Sequence, residues 1–391
     1  MKWSVIKRKL ARAERALDKS IDRAEIPGAV VLARMPRDGE VIDCFLARGH
    51  AVLRPERIPM SREIIFDLAS LTKPIATTTA VMLLVADGAF GLDDPVAKVL
   101  PVFAERDKEH VTFRHLLTHS SGLKPWRGFH ELLIQRERKT GERLLGTPEG
   151  RDWIVDRVLR SGLVHEAGAA AVYGDLDFIA LGAAVEEASG QALDAFCQER
   201  IFDPLELRDT HFYSRPADGV DGAAEPGPTP ELLRRIAATE NCPWRDRILW
   251  GEVHDPNASA MGGVAGHAGL FSTADDVMRF ARVLTDVWHA RSDALPRELV
   301  REFCRRQEMP KESDWALGWD TPTLGRSSSG RHFSDSSVGH LGFTGTSLWI
   351  DLEREAIVVM LTNRVHLVAK RSRFELRPEV HDFIMDAFAA G

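Results

Sequence analysis

The nine residues Phe66-Asp67-Leu68-Ala69-Ser70-Leu71-Thr72-Lys73-Pro74 govern the reading of the whole chain. A helix beginning near Ser70 sets the serine hydroxyl and the lysine ammonium one turn apart on one face. Serine is a poor nucleophile until a neighbour takes its proton, and an amine at that spacing can take it or assist another base. Ser-x-x-Lys is a frequent chance pattern, so position has to distinguish this copy. It follows a strand-like segment and opens the apolar stretch 75–85, which closes at the turn Asp87-Gly88.

Working outward, strands are expected at both chain ends. Residues 29–33 read as a short buried strand, and Arg37-Asp38-Gly39-Glu40 turns the chain into a second at 41–48, a hairpin pattern. Near the other end, 345–351 and 356–362 read as strands joined by a charged turn, and a helix over 378–388 follows. Ser272-Thr273-Ala274-Asp275-Asp276 caps a helix running through Leu284. Between these ends the pattern is helical with loops rich in Gly and Pro, and 218–230 is the least ordered-looking stretch. The expected fold is α/β (α+β): an antiparallel sheet built from both chain ends, flanked by helices, with an inserted helical region. Residues 1–74 and 265–391 would make the sheet region, 75–264 the insertion, and the groove between them the site.

Composition narrows the function classes. The chain has 391 residues, 44% apolar and 28% charged, an ordinary globular balance. With 58 acidic against 51 basic residues the net charge is −7, so no basic field attracts a nucleic-acid backbone. Cys44, Cys197, Cys242 and Cys304 form no Cys-x-x-Cys pair and read as reduced structural thiols. Trp3, Ile6, Leu10, Ala13, Leu17 and Ile21 recur at helical spacing without the unbroken apolar core of a secretory signal. That pattern suits a helix packed on a sheet in a cytoplasmic protein; Lys7-Arg8-Lys9 leaves a membrane-surface helix as the alternative. No bilayer-spanning stretch is expected. His115 and His119 stand four apart with no glutamate between them, and no glycine-rich nucleotide loop follows a strand, so no metal or cofactor is expected. Nothing in the chain fixes an oligomeric state.

Two further segments can complete a serine hydrolase. Tyr173, one of only two tyrosines, sits in Val172-Tyr173-Gly174-Asp175, a polar kink before a helix. A phenol ionises near pH 10 and serves as a base only beside a cation, which Lys73 would provide; a loop-anchoring tyrosine explains the residue equally well. Gly339-His340-Leu341-Gly342-Phe343-Thr344-Gly345 suits a strand edge approached closely by substrate, and equally a glycine-rich turn into the next strand. Asn363-Arg364 could add to a carboxylate-binding surface or simply end a strand. His254 and His267 fall in glycine-rich loops, where a backbone hydrogen bond is the simple expectation for His254. No Gly-x-Ser-x-Gly elbow occurs, against the α/β-hydrolase route.

Together these segments resemble the serine β-lactamase and penicillin-binding-protein superfamily, on its class C β-lactamase-like (CubicO-type), carboxypeptidase and esterase side. Ser70-Leu71-Thr72-Lys73 matches the nucleophile motif, Tyr173-Gly174-Asp175 stands where the family has Tyr-x-Asn, and His340-Leu341-Gly342 where it has Lys-Thr-Gly or His-x-Gly. Residues 116–123 and 266–273 are also similar to family segments, so the resemblance runs from about residue 26 to 388. It implies an acyl-enzyme on Ser70, proton transfer by Lys73 and Tyr173, and an oxyanion hole from the backbone N–H groups of Ser70 and Phe343. It also implies a substrate groove involving Asp175, His340, Gly342, Asn363 and Arg364.

Two departures bear on the substrate. Asp175 replaces an amide with a group that cannot donate, and beside Lys73 it would hold that lysine charged. His340 replaces an ammonium with an imidazole that charges mainly below about pH 6.5. Both favour small esters or amides over β-lactam antibiotics. A D,D-carboxypeptidase, a D-aminopeptidase, a weak β-lactamase and a catalytically silent binding protein of the same fold stay open as alternatives.

Overall fold

Apolar residues run unbroken through 29–33 and 356–361 because these strands bury both faces. In the computed structural model, which describes residues 2–37, 39–213, 228–366 and 375–389, β1 (Gly28–Arg37) and β2 (Glu40–Val52) form a hairpin with Ala33 opposite Cys44. Short strands follow: β3 (Ile58–Pro59), β4 (Ile65–Asp67), β5 (His211–Phe212), β6 (Asn241–Cys242), β7 (Arg247–Ile248) and β8 (Leu270–Thr273). The last three are β9 (Ser337–Leu341), β10 (Ser347–Asp351) and β11 (Ala356–Thr362). The main sheet runs β3-β2-β1-β11-β10-β9, all antiparallel, so the two chain ends meet where Ala29 lies opposite Thr362. A smaller sheet, β4-β8-β5, carries the nucleophile segment, and β6-β7 is a ribbon.

The period-two alternation sends β1 side chains to two cores. Val30 and Leu32 join the large core with the inserted helices, while Ala29, Val31 and Ala33 face the terminal helices. The N-terminal helix Lys2–Asp22 buries Ile6, Ala13 and Leu17, and the C-terminal helix Leu376–Ala389 buries Val380, Ile384 and Phe388 beside them. Thr273 caps the helix Ala274–Trp288 by accepting from the Asp276 N–H at 3.3 Å.

Several expectations change. The hairpin strands run past 29–33 and 41–48, because pairing continues to Arg37–Glu40 beyond the edge of the core. The strand β9, which carries His340, was not anticipated as a separate strand. Asp38 of the hairpin turn and 218–227 of the loop-like stretch lie outside the described residues; Pro230 begins a short helix, Pro230–Leu233. Ala69–Ala86 does reach the length and apolarity of a membrane span, contrary to expectation, but 83% of it is buried inside the protein. All four cysteines are buried free thiols.

Candidate active site

The site begins with a strained turn. Asp67, at the end of β4, is buried and accepts from two backbone groups, the Ala69 N–H at 2.8 Å and the His254 N–H at 2.6 Å. Ala69 is thereby held at φ +49°, a left-handed conformation that costs a non-glycine residue energy and recurs at functional turns. Thr72 fixes the next turn: its Oγ donates to the Ala69 carbonyl at 2.6 Å and accepts from the Leu270 N–H at 3.1 Å. The expected plain α-helix is absent over the first turns. A 3₁₀ turn, Ala69–Leu71, leads into a π-helical stretch, Lys73–Thr78, and α-helical winding begins only at Thr79. Pro74 has no N–H for a regular ladder, and the Thr79 hydroxyl reaches back to the Pro74 carbonyl at 3.1 Å.

On this turn the Lys73 ammonium, fully buried, donates to Ser70 Oγ at 3.0 Å, to Asp175 Oδ1 at 2.7 Å and to the His267 carbonyl at 3.1 Å. Burial alone would strip its charge; the Asp175 carboxylate and Tyr173 outweigh that and hold its pKa above that of free lysine. The Tyr173 ring lies 5.0 Å from Lys73 Nζ, and Lys73 and Ser70 both act on its hydroxyl to lower its pKa. Burial of that hydroxyl end raises the phenol's pKa, against the pull of Lys73, although 40% of the residue's surface is open on the groove side.

His119 clasps Tyr173 from behind. Its carbonyl accepts from the Val172 N–H at 2.8 Å, its Nδ1 accepts from the Gly174 N–H at 3.3 Å, and its ring meets the Tyr173 ring edge-on at 4.8 Å. The same Nδ1 lies 3.2 Å from Asp177 Oδ2, whose other oxygen accepts from the Ser121 hydroxyl. A nitrogen that accepts from Gly174 cannot also donate to Asp177, so these contacts call for a neutral imidazole beside a protonated carboxyl, with Nε2 left without a partner among the described residues. Burial drives both that way, lifting Asp177 to about 8 and lowering His119 to about 3. Sequence reasoning weighed His119 as half of an i,i+4 histidine pair and placed it in a family-like segment, and it missed Asp177, two residues beyond the flagged Asp175.

The facing wall is the edge strand β9 and the turn after it. The Thr346 and Thr344 hydroxyls donate to the Leu68 and Asp67 carbonyls at 3.0 and 2.9 Å, binding that turn to the nucleophile segment. At Gly342 a Cβ would sit 2.0 Å from Thr346 Oγ and 2.5 Å from the Leu68 carbonyl, so only glycine allows this approach. His340 Nδ1 lies 2.9 Å from the Leu341 carbonyl and donates to it, and burial, with the charge of Lys73, pushes the imidazole well below its usual pKa. It therefore brings a neutral ring, 5.7 Å from Tyr173.

Ser70, Tyr173, Asp175, His340, Gly342, Phe343 and Arg364 line one groove of about 900 Å³, with Lys73 buried in its floor. Asn363 does not line it. It is buried, and its amide is spent on the Ala51 and Ala238 carbonyls at 2.8 and 3.2 Å, tying the last strand to β2 and the insertion. Trp126, Trp244 and Trp315 also line the groove, unflagged in the sequence because nothing local distinguishes them from core tryptophans. His254 makes no ring bond to backbone; its ring stacks on Phe343 at 5.4 Å and lies 3.4 Å from Glu240 Oε2. Asp175, Asp255 and His267 have ligand atoms within 4.8 Å of one another, a spacing that could hold a cation. That junction is engaged within the protein: Asp175 by Lys73, and His267 by Asp255 at 2.9 Å.

Comparison with known proteins agrees with this fold. The profile of the beta-lactamase family matches residues 10–381. A putative D-alanyl-D-alanine carboxypeptidase of Escherichia coli (strain K12) is 30% identical over 336 residues, covering 81% of this chain and 73% of that protein. An N-acetylmuramyl-L-alanine amidase of Bacillus subtilis (strain 168) is 29% identical over 391 residues, covering 92% and 82%. Among solved structures, EstCE1, a hydrolase with promiscuous acyltransferase activity, superposes with a TM-score of 0.71 at 23% identity over 97% of this chain and 99% of that one. Simvastatin synthase from Aspergillus terreus gives 0.70 at 20% identity over 98% and 99%. The match of that profile along nearly the full length of the chain, on a sheet drawn from both chain ends, places this chain in the beta-lactamase family.

Proposed function

We propose that this protein is a serine hydrolase that cleaves small carboxylic esters or amides through an acyl-enzyme on Ser70. The observation that carries this reading is the Lys73 ammonium, 3.0 Å from Ser70 Oγ and 2.7 Å from Asp175, with the Tyr173 ring 5.0 Å from the same ammonium. In the resting site neither Lys73 nor Tyr173 is a free base, since one is held as an ammonium and the other as a phenol. Tyr173 then acts as a shuttle. As Ser70 Oγ attacks the carbonyl carbon, the serine proton passes to the phenolic oxygen and the phenolic proton passes to the leaving-group oxygen or nitrogen. The C–O or C–N bond breaks, the acyl group stays on Ser70, and Lys73 offsets the negative charge that develops on the phenolic oxygen. Water repeats the sequence in reverse to release the acid. The Ser70 and Phe343 N–H groups receive the oxyanion in this scheme.

Ser70→Ala should abolish hydrolysis of p-nitrophenyl butyrate and labelling by a fluorophosphonate, while the melting curve stays within a degree or two of the parent; undiminished turnover would sink the acyl-enzyme. A neutral His340 and an anionic Asp175 leave little to hold a β-lactam, so kcat/KM for nitrocefin should fall below that for the butyrate ester. A nitrocefin value about 100-fold higher would refute this preference.

A second reading has its own support. Arg364 lines the groove, and the relatives include a putative carboxypeptidase and an amidase, so a peptide substrate with a free carboxylate fits the same chemistry. Release of D-alanine from an acyl-D-alanyl-D-alanine peptide, lost in Arg364→Gln, would favour it over the simple esterase.

A further inference from the structure

Arg377, on the C-terminal helix, reaches through the protein to the turn after β9. Its guanidinium is buried, 7% exposed, and forks onto two carbonyls of that turn. Nε donates to the Gly345 carbonyl at 3.0 Å, and Nη2 donates to the Gly342 carbonyl. The Gly342 carbonyl also accepts from the Gly345 N–H at 3.1 Å.

The Gly342 carbonyl and the Phe343 N–H belong to one peptide unit. A cation bonded to the oxygen draws electron density off the amide nitrogen and makes its N–H a stronger donor, and charge-assisted bonds do this more than neutral ones. We propose that Arg377 is a positioning residue that polarises the Gly342–Phe343 peptide and so strengthens the Phe343 N–H as a donor to the reaction's oxyanion. The inference rests on the acyl-enzyme reading above.

A structural tie alone accounts poorly for the choice of side chain. Two carbonyls can be held by a neutral amide without the cost of burying a guanidinium. That cost is visible here: burial, with Arg364 nearby, lowers the Arg377 pKa to about 9. Among the groups bounding this guanidinium are the turn it grips, Arg364 just past β11, and His381 one turn along its own helix. A fixed charge on this peptide is worth most where the developing oxyanion is screened from water, and Arg377 and Phe343 line the same groove.

The test reads the acyl carbonyl itself. Ser70 is acylated with a slowly hydrolysed cinnamoyl ester, and the ester carbonyl stretch is recorded by difference infrared spectroscopy in the parent, Arg377→Gln and Arg377→Lys. In the parent the band should lie below that of the same adduct after denaturation. Arg377→Gln should move it upward and lower kcat by about tenfold, a fraction of the 10²–10³ lost when a whole oxyanion donor is removed. KM should stay within about twofold, and Arg377→Lys should fall between. An unmoved band with reduced kcat would mean that Arg377 only holds the turn, and no change in either quantity would likewise overturn the inference. Should Arg377→Gln fail to fold, the lysine variant decides by the same band. A parent that forms no Ser70 adduct refutes the acyl-enzyme reading and this inference together, and shows it before any Arg377 variant is made.

Discussion

Lys73 illustrates what a residue owes to its contacts. A lysine removed from water should lose its proton, yet the carboxylate at 2.7 Å keeps it charged. Asp175→Asn removes that support, so the ammonium deprotonates at a lower pH and the alkaline limb of the pH–kcat profile should move to lower pH. A profile of p-nitrophenyl butyrate hydrolysis over pH 7–10.5 measures this, and an unmoved limb would show that Lys73 does not stabilise the transferring proton. His119 makes a second case. Asparagine tolerates its φ of +55° and offers an oxygen where Nδ1 accepts from Gly174, whereas alanine offers neither. His119→Asn should keep a kcat within about tenfold of the parent while His119→Ala loses about 100-fold, with KM little changed in both. Equal losses would mean that the clasp on Tyr173 depends on the ring alone.

At the scale of elements, the site is the meeting of a strained turn and an edge strand. The Asp67 carboxylate and Thr72 hydroxyl hold the turn, and Thr344, Thr346 and Gly342 let β9 approach it. Gly342→Ala inserts a methyl into space already taken by the Thr346 hydroxyl and the Leu68 carbonyl. Overpacking of this kind costs about 1–3 kcal/mol, and here it also forces β9 away from Ser70. The expected result is a Tm lower by a few degrees and a loss of acylation rate well beyond it; calorimetry paired with probe-labelling kinetics separates the two, and a parent-like labelling rate would contradict the close approach.

At the scale of the whole molecule, buried acids shape stability. Asp177 has a folded pKa of about 8 against an ordinary 3.8, so the folded state binds the proton more tightly than the unfolded chain. Stability from this group is greatest at or below pH 3.8, declines as pH rises through the interval, and levels off above about pH 8. Asp177→Asn, which cannot ionise, should therefore show a Tm that falls less than the parent's between pH 5 and 8, with the largest gain over the parent at the alkaline end. Parallel curves would show that Asp177 is ionised in the folded protein.

The sequence by itself determined the terminal strands and the spacing of Ser70 and Lys73. Unbroken apolar runs at 29–33 and 357–361 can bury both faces only within a covered sheet, and the Ser70–Lys73 spacing is a local property of one turn. Tyr173 and His340 were legible as candidates, each with an equally good structural explanation, because their chemistry depends on groups far away in the chain. What lies around them was decided by tertiary structure. Asn363 and Arg364 are neighbours in sequence, yet one is spent on buried carbonyls and the other faces the groove. Asp177 and Arg377 carry no local signal at all: one is a helix acid and the other a helix base until folding removes their water. Burial and charge act over a few ångströms of space, and sequence distance does not record which groups will share it.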